Sequence, residues 1–171
     1  VSVMQYHEDG YLPEAVLNYL ARLGWSHGDD EVFSMAQFCD WFDLNHITAS
    51  AAQFNTEKLN WLNNHYIKLA DLTELAKDIA ARLAQQGVHV TATPNLTDAI
   101  SLYRDRANTL NELAQSVAYF YSKPQVDAEA KAKHVTEDIL SVLAGLTAQL
   151  AEVEWTTEAI HALIAQTVAS H

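Results

Sequence analysis

Two arginines one residue apart, in Tyr103-Arg104-Asp105-Arg106-Ala107-Asn108-Thr109, are the side chains with the clearest chemical use. A guanidinium offers five donors in a planar fork, and one projecting from the junction of two helices could reach a nucleobase edge. Charge alone favours a plainer reading, a weak surface ion pair from Arg104 or Arg106 to Asp98, Asp105 or Glu112. Catalytic signatures are absent: the sequence holds no phosphate-cradling P-loop, dinucleotide Gly-rich turn, HExxH pair or GxSxG elbow. The 8 histidines are scattered, and no two stand at the i, i+3 or i+4 spacing that puts two metal ligands on one helical face. His7-Glu8-Asp9 is polar enough for a metal, but three consecutive helical residues cannot all face one ion. Cys39, with Asp40 and His46 near in sequence, could be drawn as a nucleophile and base; lying between Phe38 and Trp41, it is expected to be a buried structural thiol. The aromatic residues around Trp25, Phe33, Phe38, Trp41, Phe42, Phe54, Trp61 and Tyr66 have core spacing, with Trp25 the one expected to stay available for stacking on a base.

Helices must position these groups. Pro13 suits a first helical turn, and an apolar face follows from Ala15 to Leu23 before Gly24. Ser34 with Gln37 forms a capping box for a helix to about Phe42, with Phe38, Trp41 and Phe42 as its inner stripe, and a further helix is predicted from Asn55 to about Ile67. Asp71 with Glu74 opens a helix that Gly87 ends, and Val88 to Val90 reads as a short extended piece. A helix over 95–107 precedes Thr109 with Glu112, a capping box for the next helix, and Pro124 closes that unit. Val135, Ile139, Val142, Leu143, Leu146 and Leu150 predict one long helix over 127–153, and Thr156 with Glu158 opens the last. Nothing alternates at period two, so the fold class is all-α, a helical array of two to three small units with joints near Lys68 and Pro124.

Composition agrees with that picture. In 171 residues, 49% hydrophobic, only 5 Gly and 3 Pro occur, well below ordinary usage, which favours long helices over turns. Lys and Arg total 10 against 22 Asp and Glu, a net charge of −12, which by itself argues against a nucleic-acid partner. One cysteine requires no oxidising compartment, no apolar run approaches a membrane span, and no charged leader precedes an apolar stretch, so a soluble cytoplasmic protein is expected, with no membrane partner. The start at Val1 without an initiator methionine leads us to expect a piece of a longer protein.

Longer runs are more specific than composition. Val1-Ser2-Val3-Met4-Gln5-Tyr6, Asp9 to Ala15, Leu17-Asn18-Tyr19-Leu20, Arg22 to Gly28, and Phe54-Asn55-Thr56-Glu57-Lys58-Leu59 with Trp61-Leu62-Asn63 closely resemble the C-terminal part of the bacterial glutamyl-tRNA synthetase family, class I aminoacyl-tRNA synthetases. Arg104-Asp105-Arg106, Thr109-Leu110, Glu112-Leu113-Ala114 and Tyr119-Phe120-Tyr121 resemble its first anticodon-binding helical unit. Glutaminyl relatives are similar in the first part but read the anticodon with β-barrels, whereas everything after Lys68 here reads helical.

The resemblance implies a division into a stem-contact region (1–67), a first anticodon-binding helical domain (68–124) and the truncated start of a second (125–171). It implies that Lys58 and Ser26 contact the tRNA near its D stem, as contacts that position rather than specify. It also implies that Arg106, with Arg104 as the alternative register, reads the third anticodon base, a cytosine, by donating to its acceptors and so disfavours guanine. No catalytic residue and no metal ligand is expected here. The family's ATP-site loop and nucleotide-binding domain lie upstream, so ATP and Mg²⁺ belong to the whole enzyme and no cofactor to this segment. Glutamate-specific tRNA is the expected partner, the expected state is monomeric, and the segment alone is expected to be inactive. The alternative is a helical protein-interaction module without an RNA function.

Overall fold

A computed structural model describes residues 2–48 and 53–170; Val1 and His171, at the ends of the runs discussed above, lie outside the described residues. Among those residues the chain is all-α, with ten α-helices, two 3-10 turns and one isolated bridge between Trp25 and Ile47. The helices group into two compact units, Val1–Lys123 and Pro124–His171.

Capping chemistry starts most helices of the first unit where the residue types demand it. Ser2 opens α1 (Val3–Glu8), Ser34 with Gln37 closes a full capping box on α3 (Met35–Trp41), and Asn55 caps α4 (Thr56–Leu69). Asp71, Asn95 and Thr109 cap α5 (Leu72–Gln85), α6 (Leu96–Tyr103) and α7 (Leu110–Ala118). In each, a side-chain oxygen accepts an N–H that the first turn leaves without a partner. Only α2 (Pro13–Gly24) relies on proline at its first position instead.

α4 joins two cores. Its Leu59 and Leu62 pack with Ala15 and Tyr19 of α2, while its Ile67 packs with Leu75, Ile79 and Leu83 of α5, Ala99 and Ile100 of α6, and Leu113 and Val117 of α7. The spacing Leu59, Asn63, Ile67 puts a polar residue in the middle of that buried face, and Asn63 is fully buried. Its amide is saturated: Nδ2 donates to the carbonyls of Gly10 (3.3 Å) and Asn108 (2.6 Å), and Oδ1 accepts from Leu12 N (2.8 Å). The link between α1 and α2 is thereby tied to the start of α7, where Leu110 N donates to Gly10 O at 2.8 Å. Arg82, 7% exposed, completes the joint by donating to Asp78, Asn111 and the carbonyls of His7 and Glu8 that end α1.

In the first unit the structure departs from the sequence expectations in several places. The helix predicted over 95–107 ends at Tyr103 and tightens into a 3-10 turn, Arg104–Arg106. Residues 88–90 form no strand. Cys39 is exposed, not buried, because α3 is a short helix with no fully buried residue. Trp25, expected to be the available aromatic, is 4% exposed inside the rings of Phe33, Phe38 and Phe42, whereas Trp61 on α4 is 50% exposed.

In the second unit, the single helix predicted over 127–153 is two. α8 (Ala128–His134) stops where Val135 leaves helical geometry, and Thr136 caps α9 (Glu137–Glu152) by accepting from Ile139 N. A β-branched residue followed by a threonine able to cap is a stronger signal than the continuing apolar period. α10 (Thr157–Ala169) packs on α9, but two helices share one face and no residue of the three helices is fully buried. Ile139 and Leu143 of the predicted apolar stripe are exposed.

The joint at Gly10 admits a direct test. Its φ is +90°, and an added Cβ would stand 2.7 Å from Asn111 N and 2.9 Å from Leu110 N, both backbone atoms. Gly10→Ala is expected to cost about 2 kcal/mol or more in urea unfolding, from strain and overpacking together. Gly24→Ala, with open space around the new methyl, should stay within about 1 kcal/mol of the parent or gain slightly.

Candidate functional site

The turn Arg104–Arg106 is held from both ends and from below. Before it, the ring of Tyr103 stacks edgewise on Tyr119 and Phe120, and its hydroxyl pairs with that of Tyr119 at 2.9 Å. After it, Ala107 is buried, and Asn108 N donates to Glu112 Oε2 at 2.7 Å. Beneath it, Asn64 of α4 donates through Nδ2 to the carbonyls of Ala107 (2.7 Å) and Asp105 (3.3 Å), beside Asn63 on Asn108. A turn fixed at so many backbone atoms leaves little freedom except in the side chains it presents.

Those side chains are cations without carboxylate partners. Among the described residues neither Arg104, half-buried, nor Arg106, exposed, forms an ion pair, and the pairing to Asp98, Asp105 or Glu112 that charge favours is not made. The reason for Glu112 is local: its carboxylate reaches back past the N-cap of α7 to accept from Asn108 N, while Thr109 Oγ1 accepts from Glu112 N, so the cap forms without the full capping box that the sequence predicts. In a chain with 10 cations and 22 acids, two unpaired arginines on one rigid turn amount to a donor-rich spot on an acidic protein.

Lys58 sits elsewhere on the first unit and is occupied. Its Nζ lies 2.8 Å from Glu31 Oε1, and the same oxygen is 3.6 Å from Arg22 of α2. Asn18, buried on α2, sets this carboxylate in place by donating to Glu31 O (3.1 Å) and accepting from Phe33 N and the Tyr66 hydroxyl. The hydrogen bond from Lys58, then its charge and that of Arg22, hold the Glu31 carboxyl below the usual range. Ser26 follows the buried Trp25, is half-buried, and its hydroxyl has no hydrogen-bond partner among the described residues. Thus α4 carries both Lys58 and the asparagines under the arginine turn, while Ser26 comes from the loop after α2.

The sequence reading missed Asn18, Asn63, Asn64 and Arg82. A usable signal existed for two of them: Asn18 and Asn63 occupy apolar-stripe positions of α2 and α4, where an amide is tolerated only if its hydrogen bonds are met. Among the described residues no group of three His, Cys, Asp or Glu could hold a metal ion.

Comparison with known proteins places this geometry. Residues 71–171 match the family model for an anticodon binding domain, which covers more than half of the chain. The chain belongs to the anticodon-binding domain family. Residues 1–61 match the model for the catalytic domain of class I tRNA synthetases of the E and Q type. The glutamate–tRNA ligase of Methylobacillus flagellatus is 63% identical over 96% of this chain, and that of Dechloromonas aromatica 57% over all of it. This chain spans 35% and 37% of those two proteins, about a third of their length. Among solved structures, a glutamate tRNA ligase from Elizabethkingia meningosepticum in complex with its amino acid superposes over 96% of this chain, with a TM-score of 0.79 at 29% identity. A glutamate-tRNA synthetase from Elizabethkingia anophelis gives 0.74 at 30% identity. Both share the all-α architecture of this segment.

The Glu31 cluster makes a prediction independent of any ligand. Because the folded carboxyl is depressed, the pair is intact at neutral pH, and its contribution is lost as pH falls through that depressed value. In a side-chain carboxyl NMR titration Glu31 should protonate below the ordinary glutamate range, and Lys58→Met should return its midpoint toward that range; an unmoved midpoint would show that Lys58 is not the cause.

Proposed function

We propose that this chain is the tRNA-docking and anticodon-reading portion of a glutamate–tRNA ligase, with glutamate-specific tRNA as its partner. The observation that carries the reading is the arginine turn: unpaired guanidiniums on an immobilised backbone, within the segment that matches the anticodon binding domain. Single-stranded loops are read on the exposed edges of splayed bases, which suits donors projecting from a tip. Arg106, with Arg104 beside it, donates to the acceptors of the third anticodon base, a cytosine; guanine presents donors on the same edge and is disfavoured.

Lys58 and Ser26 contact the stem of the same tRNA, so residues 1–67 act as the stem-contact region, 68–124 as the first anticodon-binding domain and 125–171 as the start of a second. A phosphate approaching Lys58 must take the place of the Glu31 carboxylate, already an anion between two cations. Such an exchange of one anion for another gains less than binding to a free lysine would, and stem contact on this acidic surface is therefore weak.

The whole enzyme attaches glutamate to tRNA in the cytoplasm using ATP and Mg²⁺, and this portion acts as a monomer. The residues of this segment do not fit the nucleotide or the metal: they offer no Gly-rich phosphate loop and, among the described residues, no metal-ligating cluster. No catalytic step is assigned to them. They bind and orient the RNA.

Titration of the chain with glutamate-specific tRNA, native or with guanine as the third anticodon base, tests the proposal. Preference for the native tRNA should fall by about 10- to 100-fold in Arg106→Gln, the worth of a good guanidinium–base contact. Lys58→Ala should instead weaken both tRNAs alike and lower the salt slope by about 1. Equal binding of the two tRNAs by the parent chain would sink the base-reading assignment, and no binding at low salt would return the chain to the class of protein-interaction modules.

A further inference from the structure

We propose that Asn64 is a specificity-determining positioning residue, setting the direction of Arg106 and with it the choice of anticodon base; this rests on the anticodon reading above. The amide nitrogen of Asn64 has two hydrogens and two acceptors, the carbonyls of Asp105 at 3.3 Å and Ala107 at 2.7 Å, which are the residues on either side of Arg106. One side chain thus spans the peptide units from which the guanidinium projects. Neighbouring constraints act at the margins of the turn: the Tyr103 ring before it, Asn63 and Glu112 on Asn108 after it. Among the described residues, Asn64 is the one side chain that hydrogen-bonds to the backbone on both sides of Arg106.

Direction matters because a fork of donors discriminates by geometry, whereas a loosely held cation attracts any base or phosphate alike. Without Asn64 the turn keeps its outer fastenings and the chain its charge, so RNA is still attracted while the edge-on geometry is lost. Asn64 also lies on the helix that carries Lys58, about 9 Å along its axis at 1.5 Å per residue. The asparagine under the arginine turn and the stem-facing lysine therefore belong to one rigid element.

The test is a double-mutant cycle on the 171-residue chain with the same pair of tRNAs, native and guanine-substituted. Asn64→Ala should lower the preference for the native tRNA about tenfold while changing affinity for the substituted one less than about twofold. In the Arg106→Gln background the same substitution should change the preference no further, since its effect passes through that arginine. Asn64→Asp, of equal size but with an acceptor facing both carbonyls, should reproduce the loss, so a volume effect is excluded. Amide exchange at residues 105–108 should rise in both variants with the thermal midpoint held within a few degrees. Equal loss on both tRNAs, additivity with Arg106→Gln or an unchanged preference would overturn the proposal while leaving the anticodon reading intact. A parent chain that shows no preference would overturn both together.

Discussion

Three hydrogen bonds to the buried amide of Asn63 fix the geometry on which the rest of the first unit depends. Two of them hold the strap between α1 and α2, at Gly10 O and Leu12 N, and the third holds Asn108 O at the entrance to α7. The amide of Asn63 is itself fully buried, so each of its hydrogen-bonding groups left unmet would cost about 1–3 kcal/mol. The cluster therefore couples three elements: losing the strap or the start of α7 leaves a buried amide group of α4 unpaired. Gly10 is required there because α7 begins within van der Waals distance of its backbone, leaving no room for a Cβ.

What the joint positions is a place where the electrostatics of the chain reverse locally. A net charge of −12 opposes an anionic partner at long range, but screening limits that opposition to about 8 Å at physiological salt. Inside that distance the identity and freedom of individual side chains decide. The arginines at 104 and 106 form no ion pair among the described residues, and one candidate acid, Glu112, is engaged at the start of α7 by Asn108 N. Lys58 is not free, because Asn18 holds the Glu31 loop against it. The two cationic positions thus differ in kind: one is exposed and ready, the other already neutralised by an internal anion.

Much of this was legible in the sequence, for physical reasons that also mark the limits. The capping box at Ser34 and the caps at Asp71 and Thr109 are local interactions between residues two or three apart, so reading them needs no tertiary knowledge. The resemblance at Arg104 to Arg106 named the turn that the structure fixes, although periodicity extended the helix through it. The errors share a cause. Burial of Trp25 depends on Phe33, Phe38 and Phe42 closing over it from a loop and a separate helix, and Cys39 is exposed on α3, a short helix with no buried residue. Asn64 was invisible because its partners are carbonyls 41 and 43 residues away, which no pattern in one dimension reports.

The distribution of arginines shows how an acidic chain separates stability from recognition. Arg82 is desolvated, its guanidinium matched by the Asp78 carboxylate at 2.6 Å and by two carbonyls at the end of α1, where the helix dipole also favours a cation. Its charge is used inside the fold, and removing it would release Asp78, Asn111 and the end of α1 from one shared donor. Arg106 is the opposite case: its backbone is secured by others, its side chain secures nothing among the described residues, and its loss should leave the fold intact. A group that contributes nothing to the free protein can give all of its hydrogen-bonding capacity to a partner, so under the proposed reading base discrimination at this turn can be altered without a stability cost. The asparagines of α4 make that separation possible, because they hold the turn through its carbonyls and leave the guanidiniums uncommitted.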